Sequence, residues 1–204
     1  MSLLTLRLAA LGALIPVLVA YADAPWRTFG QRYVAHRWPE RMVLFSIELN
    51  IFLLWALAKL LVGRDAAVAP DSLRAAFAGA GALLAWAGAG FAVWAKLTLG
   101  RWFSASFAVK SGHELVTRGP YAIVRHPIYV SLVTIGVGLA IAWNSWVTLG
   151  FALLYAAPFW MHTAIEEQLL EAHFGDEWRA YQARVPRMVP GWRTPRERRG
   201  LGGR

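Results

Sequence analysis

Apolar residues run along this chain in five blocks, separated by short polar stretches. The blocks cover roughly residues 3–21, 42–62, 75–97, 127–143 and 146–165. A helix needs about 20 apolar residues to cross a hydrocarbon core of ~30 Å. The pattern therefore predicts an all-α, polytopic integral membrane protein of about five transmembrane helices. The first run is read as a retained helix, since "YADAPW" is a poor cleavage site for a secretory signal. The loop 22–41 carries Trp26, Phe29, Tyr33 and Trp38, residues that favour the membrane interface.

Punctuation residues refine these boundaries. Pro70 with Asp71 or Ser72 reads as the entry and N-cap of the third helix. That helix holds Gly79, Gly81, Gly88 and Gly90, which permit close helix approach. Only "WNSW", Trp143–Trp146, separates the fourth and fifth runs, predicting a tight hairpin of antiparallel neighbours. Pro158 is expected to kink the fifth helix. Past Ile165 the sequence turns polar, and Leu169, Leu170, Phe174, Trp178 and Tyr181 keep near-helical spacing. The fifth helix is expected to extend beyond the membrane, ending at Gly175 as its C′ residue. Asp176 would cap a further helix, stopped by Pro186 and Pro190. This divides the chain into three N-terminal helices (1–97), a core (98–192) and a basic, disordered tail (193–204).

Composition agrees with the pattern: of 204 residues, 57% are hydrophobic and 16% charged, against about 25% charged in soluble domains. Net charge is +9, and its placement reads as topology rather than nucleic-acid binding. With five spans, Arg27, Arg32, Arg37 and Arg41 share a side with Lys96, Arg101, Lys110, Arg118, Arg125 and the eight arginines from Arg179 onward. Only Arg7, Lys59, Arg64 and Arg74 face the other way. The positive-inside rule then places the N-terminus outside and the C-terminus in the cytoplasm, near membrane lipids. Oligomeric state is not legible. The absence of cysteine excludes disulfides, thiolate metal sites and a cysteine nucleophile.

Polar residues concentrate in 101–129 and 166–192. The hairpin returns both to one membrane face, so His113, Arg118, Tyr121, Arg125, His126 and Tyr129 can meet Glu166, Glu167, Arg179, Tyr181 and Arg184. Gly119-Pro120 and His126-Pro127 keep the backbone out of helix, leaving N–H and C=O groups for a ligand. Such a set suits a small, partly apolar molecule bearing charge. Plainer roles compete: arginines and tyrosines anchor at interfaces, and His126 could cap a helix. Adjacent Glu166 and Glu167 oppose the helix dipole and need cationic partners. Glu48 and Asn50 are polar within the second run, with a structural role favoured. His36, His162 and His173 show no metal-ligand spacing, and no P-loop, HExxH or GxSxG occurs.

"GHELVTRGPYAIVRHPIYV" (112–130) followed by "EEQLLEAHFGDEWRAYQARVPRMVP" (166–190) resembles the isoprenylcysteine carboxyl methyltransferase family, part of a membrane superfamily that includes the phospholipid methyltransferases. The resemblance covers residues 98–192. Val130-Ser131 stands where the family often has glycine, and Trp178 where it often has tyrosine. The resemblance implies an S-adenosylmethionine-dependent methyltransferase acting on a lipophilic acceptor, with the cofactor in a cytoplasmic pocket. His113, Leu115 and Val116 would line that pocket, and Tyr121, His126 and Tyr129 would shape it. Glu166 or Glu167 would bind the ribose diol or the amino group, while Arg125 and Arg184 would hold carboxylates. Arg125, Glu167 and Arg184 are thus the expected catalytic group. A prenylated-cysteine carboxylate is the family's named acceptor and needs no general base; an amine acceptor would need one, such as Glu167. A side opening toward lipid, lined by the Gly-rich third helix, would admit the acceptor. The alternatives are a phospholipid or other small-molecule methyltransferase, or a non-enzymatic transport or redox-associated membrane protein.

Overall fold

The computed structural model describes residues 2–23, 33–36, 54, 67–104 and 108–191. Helices occupy the predicted runs that fall within them. The chain begins with α1 (Leu3–Gly12) and α2 (Leu14–Tyr21), followed by the short strand β1 (Tyr33–His36). A 3-10 turn at Asp71–Leu73 leads into α3 (Arg74–Leu99). Strand β2 (Ala108–Lys110) and a 3-10 turn at Gly119–Ala122 precede α4 (Pro127–Trp143). Then come α5 (Trp146–Leu154), α6 (Ala156–Phe174) and α7 (Asp176–Arg184). The fold is mostly rather than wholly helical. β1 and β2 pair antiparallel, Tyr33 opposite Lys110 and Ala35 opposite Val109, with the register shifting between them.

Among the described residues, three helical segments are long and apolar enough to cross a membrane: Leu3–Tyr21, Asp71–Trp102 and Trp146–Phe174. The apolar α4 is shorter, at 17 residues. The predicted run 42–62 lies outside the described residues apart from Leu54, as do Glu48, Asn50, most of the aromatic loop and the basic tail.

Two helix breaks have one cause. Proline has no N–H, and its ring collides with the carbonyl four residues earlier. Pro16 thereby frees the Gly12 carbonyl, and α1 parts from α2 at Ala13. Pro158 frees the Leu154 carbonyl, and α5 parts from α6 at Tyr155. The predicted kink thus falls one turn before its proline.

α3 and α4 cross closely because both lack side-chain bulk where they meet. A Cβ on Gly81 would sit 2.4 Å from the Ala142 nitrogen, and one on Gly138 2.6 Å from the Ala85 nitrogen. Gly88 packs against Ile135 in the same way. Gly79 and Gly90 meet no other described residue, so half of the expected glycine set makes the α3–α4 interface. Buried Ala78, Ala82, Ala85, Ala89, Ala92 and Ala95 continue that face. Leu4, Leu18, Leu83 and Leu97 point outward, the arrangement of a bundle whose surroundings are apolar.

The two ends of the bundle differ. At the hairpin end, Asn144 adopts the left-handed conformation (φ 55°) that closes α4. Its amide bonds Ala69 in both directions, at 2.6 and 2.9 Å. Ser145 caps α5 by accepting the Thr148 N–H, and Arg7 donates to the terminal carbonyls of Ala142 and Trp143. At the opposite end, α6 continues through Gly175 (φ 54°) into α7. Asp176 is the first residue of α7 rather than its cap, and with Glu177 it places acid in the first turn, where the helix dipole favours it.

Candidate functional site

The polar end of the bundle is built by three segments folding back on one another. Leaving α3, the chain turns through Gly100–Phe103 and enters β2. There the buried Lys110 ammonium donates to the carbonyls of Arg101 and Phe103 at 2.7 and 2.6 Å, pinning that turn. Gly119 takes φ 60°, with a Cβ position only 3.1 Å from Thr98 Oγ1, so glycine is required both for angle and for space. Pro120 and Tyr121 are buried beneath, and the Tyr181 hydroxyl of α7 donates to the Tyr121 carbonyl at 2.7 Å.

The prolines do keep 118–127 out of helix, but the backbone groups they free are not left for a ligand. Arg125 N–H donates to Pro186 O and His126 N–H to Arg187 O, at 2.9 and 3.1 Å. The segment 185–187 is thus strapped along the entrance of α4.

Glu167 sits under this strap, 4% exposed. Its Oε1 accepts from Arg125 Nε at 2.8 Å and lies 3.1 Å from His126 Nε2. Its Oε2 accepts from the Arg187 guanidinium and from the Gln182 amide. Arg125 completes its own bonding on the carbonyls of Gln182 and Val185. Arg187 also lies over the Trp160 ring, 4.9 Å from its centroid. His126 Nδ1 faces the half-exposed Glu166 at 3.5 Å. Burial disfavours the imidazolium, but the bonds to Glu166 and then Glu167 outweigh it, and the His126 pKa is raised.

Beside this charged hub lies a cavity of about 310 Å³, within the size range of small-molecule sites. His113, Leu115, Val116, Tyr121, Arg125, His126, Tyr129 and Glu166 all border it. Glu167 stands behind the wall and holds Arg125 and His126 in place. Arg184 does not reach the site: it is exposed, and its Nε donates to Ala180 O one turn back on α7. Arg187 takes the place expected of it. The reason is Pro186, whose turn carries the next residue back toward Glu167 while Arg184 remains on the outer helix face. The Gly-rich face of α3 is consumed in packing on α4, and no glycine of that helix borders the cavity.

Further wall residues were not singled out in the sequence as site residues: Trp102, Phe103, Leu169, Leu170 and Trp178. His113 stacks on Trp102 with centroids 5.0 Å apart and meets Phe174 edge-on at 5.7 Å. Burial, then the nearby charges of His173 and Lys110, lower its pKa to about 4, so the ring is neutral at pH 7. Two buried polar atoms on this side have no hydrogen-bond partner among the described residues, His113 Nδ1 and Trp178 Nε1. An unmet buried group of this kind costs about 1–3 kcal/mol, so each atom calls for a partner such as ordered water, an ion or a ligand.

The charged hub and the aromatic-walled cavity thus lie together in a bundle with three helical segments long and apolar enough to cross a membrane. Residues 77–177, just under half of the chain, match the family model described as Phospholipid methyltransferase. Over 99 residues it is 36% identical to the Protein-S-isoprenylcysteine O-methyltransferase of Schizosaccharomyces pombe, covering 47% of this chain and 42% of that one. It is 33% identical to Protein-S-isoprenylcysteine O-methyltransferase B of Arabidopsis thaliana, covering 47% and 50%. A further relative, the cobalt-zinc-cadmium resistance protein CzcN of Cupriavidus metallidurans, is 33% identical over 46% of this chain and 44% of that one. The chain thus spans about half the length, or less, of these curated relatives. The family model and the first two of these relatives carry the names of methyltransferases.

Proposed function

We propose that this protein is an integral membrane methyltransferase that takes its methyl group from S-adenosylmethionine and delivers it to a lipophilic acceptor bearing a carboxylate, of the prenylated-cysteine type. The observation that carries this reading is the convergence of 113–129 and 166–187 on one cavity, with a charged hub on one flank and apolar residues of α4 and α6 on the other.

The wall residues fit the cofactor. The unmet His113 Nδ1 and Trp178 Nε1 can serve its polar atoms, and the Tyr121 and Tyr129 faces suit a sulfonium cation. Glu166, half-exposed at the cavity edge, suits an ammonium or a sugar diol. Bound S-adenosylmethionine would supply an electrophilic methyl carbon, and the protein's part is alignment. Leu115 and Val116 give the cavity an apolar wall. Arg125, fixed by Glu167, Gln182 and Val185, presents charge in one direction with little freedom to move.

Charge balance favours a carboxylate acceptor. Arg125, Arg187 and His126 face the carboxylates of Glu166 and Glu167. These balance the two guanidiniums and leave the imidazole, whose pKa they raise, to add positive charge when it takes up a proton. A carboxylate is already a nucleophile near pH 7, so no residue need remove its proton. Leu132, exposed on α4 and bordering the cavity, marks the side from which a lipid-borne acceptor enters. The basic residues of 96–125 and 179–187 favour a cytoplasmic position for this end of the bundle.

The test is methyl transfer in lipid nanodiscs. Protein is incubated with methyl-labelled S-adenosylmethionine and either N-acetyl-S-farnesylcysteine or phosphatidylethanolamine. The reading predicts base-labile methyl ester on the farnesylcysteine. Label in the phospholipid would move the acceptor to an amine, and label in neither would count against the activity.

A further inference from the structure

Trp178 lies in the first half of α7, 1% exposed. It packs with Leu115, Leu170 and Phe174 and meets Tyr181 at 5.5 Å between ring centroids. It borders the cavity, and its indole N–H is buried without an acceptor among the described residues. Packing alone does not call for an indole there, since a phenyl ring would fill the slot without stranding a donor. The second unmet atom, His113 Nδ1, belongs to a ring that meets Phe174 edge-on. Both orphans therefore border the same aromatic region, formed by Trp102, His113, Phe174 and Trp178.

The chemistry of that region selects its occupant. Among the described residues that border the cavity the one guanidinium is that of Arg125, which is committed to the hub around Glu167. A carboxylate among those rings would therefore lose its hydration without an ionic partner inside the cavity. A flat heterocycle loses little. Its faces stack on aromatic rings, and its ring nitrogens accept hydrogen bonds without carrying charge.

We propose that Trp178 is a specificity-determining residue for the methyl donor's purine. Its indole N–H donates to one ring nitrogen of the base, and His113 Nδ1 engages the neighbouring polar atom of the same ring system. The inference rests on the cofactor reading above and adds the element of that ligand which this chain reads through α7. Hub and aromatic region then divide the donor between them, amino-acid portion to the first and base to the second.

The experiment is calorimetry of S-adenosylhomocysteine and its 1-deaza, 3-deaza and 7-deaza analogues, each lacking one ring nitrogen, on wild-type protein and Trp178→Phe in nanodiscs. Wild-type protein is expected to lose about tenfold in affinity for one analogue and little for the other two, the scale of one hydrogen bond. Trp178→Phe should bind the parent compound about tenfold more weakly and no longer distinguish that analogue. The indole ¹H–¹⁵N resonance that is absent from Trp178→Phe should move downfield when the parent compound binds to the wild type. If wild-type protein binds the parent and all three analogues alike, the inference falls while the cofactor reading stands. If Trp178→Phe does not fold, the analogue series on the wild type still decides. No binding of the parent compound overturns both.

Discussion

Arg125 Nε donates to Glu167 Oε1 over 2.8 Å, and the two residues are 3% and 4% exposed. An ion pair this deeply buried is costly to form and costlier to halve. Removing one partner leaves the other charged, dry and unmatched. Arg125→Ala and Glu167→Ala should each destabilise the protein by about 3–5 kcal/mol, seen as a large drop in thermal midpoint in detergent. The double replacement Arg125→Met with Glu167→Leu should recover part of that loss without recovering ligand binding. Equal midpoints for single and double variants would contradict the coupling.

The two arginines at the end of α7 should behave oppositely. Arg187 pairs with Glu167 and covers Trp160, while Arg184 is exposed on the outer face of the helix. Arg184→Ala should leave stability within about 0.5 kcal/mol of wild type and leave cofactor binding unchanged. Arg187→Ala should weaken both. Thermal unfolding and calorimetry on the pair check this, and loss of binding in Arg184→Ala alone would reverse the assignment.

Alanine substitution along α3 should separate its glycines. Gly81→Ala puts a methyl group into backbone atoms of α4, as does Gly138→Ala in the other direction. Each should cost about 1–3 kcal/mol through overpacking. Gly79→Ala and Gly90→Ala meet no other described residue and should be neutral or slightly stabilising, because alanine favours helix. Thermal midpoints of the four variants test the register of the α3–α4 crossing.

Two histidines should give opposite pH responses. The His113 pKa is lowered to about 4 in the folded protein, against ~6.5 in an unfolded chain. Between these values only the unfolded state takes up the proton, so stability falls as pH drops from ~6.5 toward 4. The His126 pKa is raised; its contribution is full below ~6.5 and is lost as pH rises through the folded value. Stability profiles of His113→Phe and His126→Gln should therefore flatten on the acid and alkaline sides respectively. A change on the same side in both would contradict the assigned environments.

The helices were legible in the sequence because each apolar run is long and sharply bounded. α4 begins at Pro127 and ends at Trp143, as its apolar run does. Most of the cavity wall was legible too, since 112–130 and 166–190 carry a dense motif and the WNSW hairpin requires them to meet. Roles within the site were harder to read. Arg184 and Arg187 look equivalent along the chain, and only the turn at Pro186 separates one that reaches Glu167 from one that faces solvent. Glu166 and Glu167 are likewise adjacent, but a helix sends them about 100° apart, one to the cavity and one beneath its wall. The β1–β2 pair was not foreseen: its strands are four and three residues long and 71 residues apart between His36 and Ala108, too short for a period of two to register. The helix break at Ala13 was available in Pro16 and overlooked, although Pro158 announced the same physics.

The central claim is that the cavity between 113–129 and 166–181 receives S-adenosylmethionine. Its most direct test is calorimetric titration of S-adenosylhomocysteine into nanodisc-embedded wild-type protein and into Val116→Trp, which fills the cavity from its apolar wall and leaves the charged hub intact. The account predicts saturable one-to-one binding to the wild type and none to the folded variant. Absence of binding to folded wild-type protein, or equal binding to both, would contradict it.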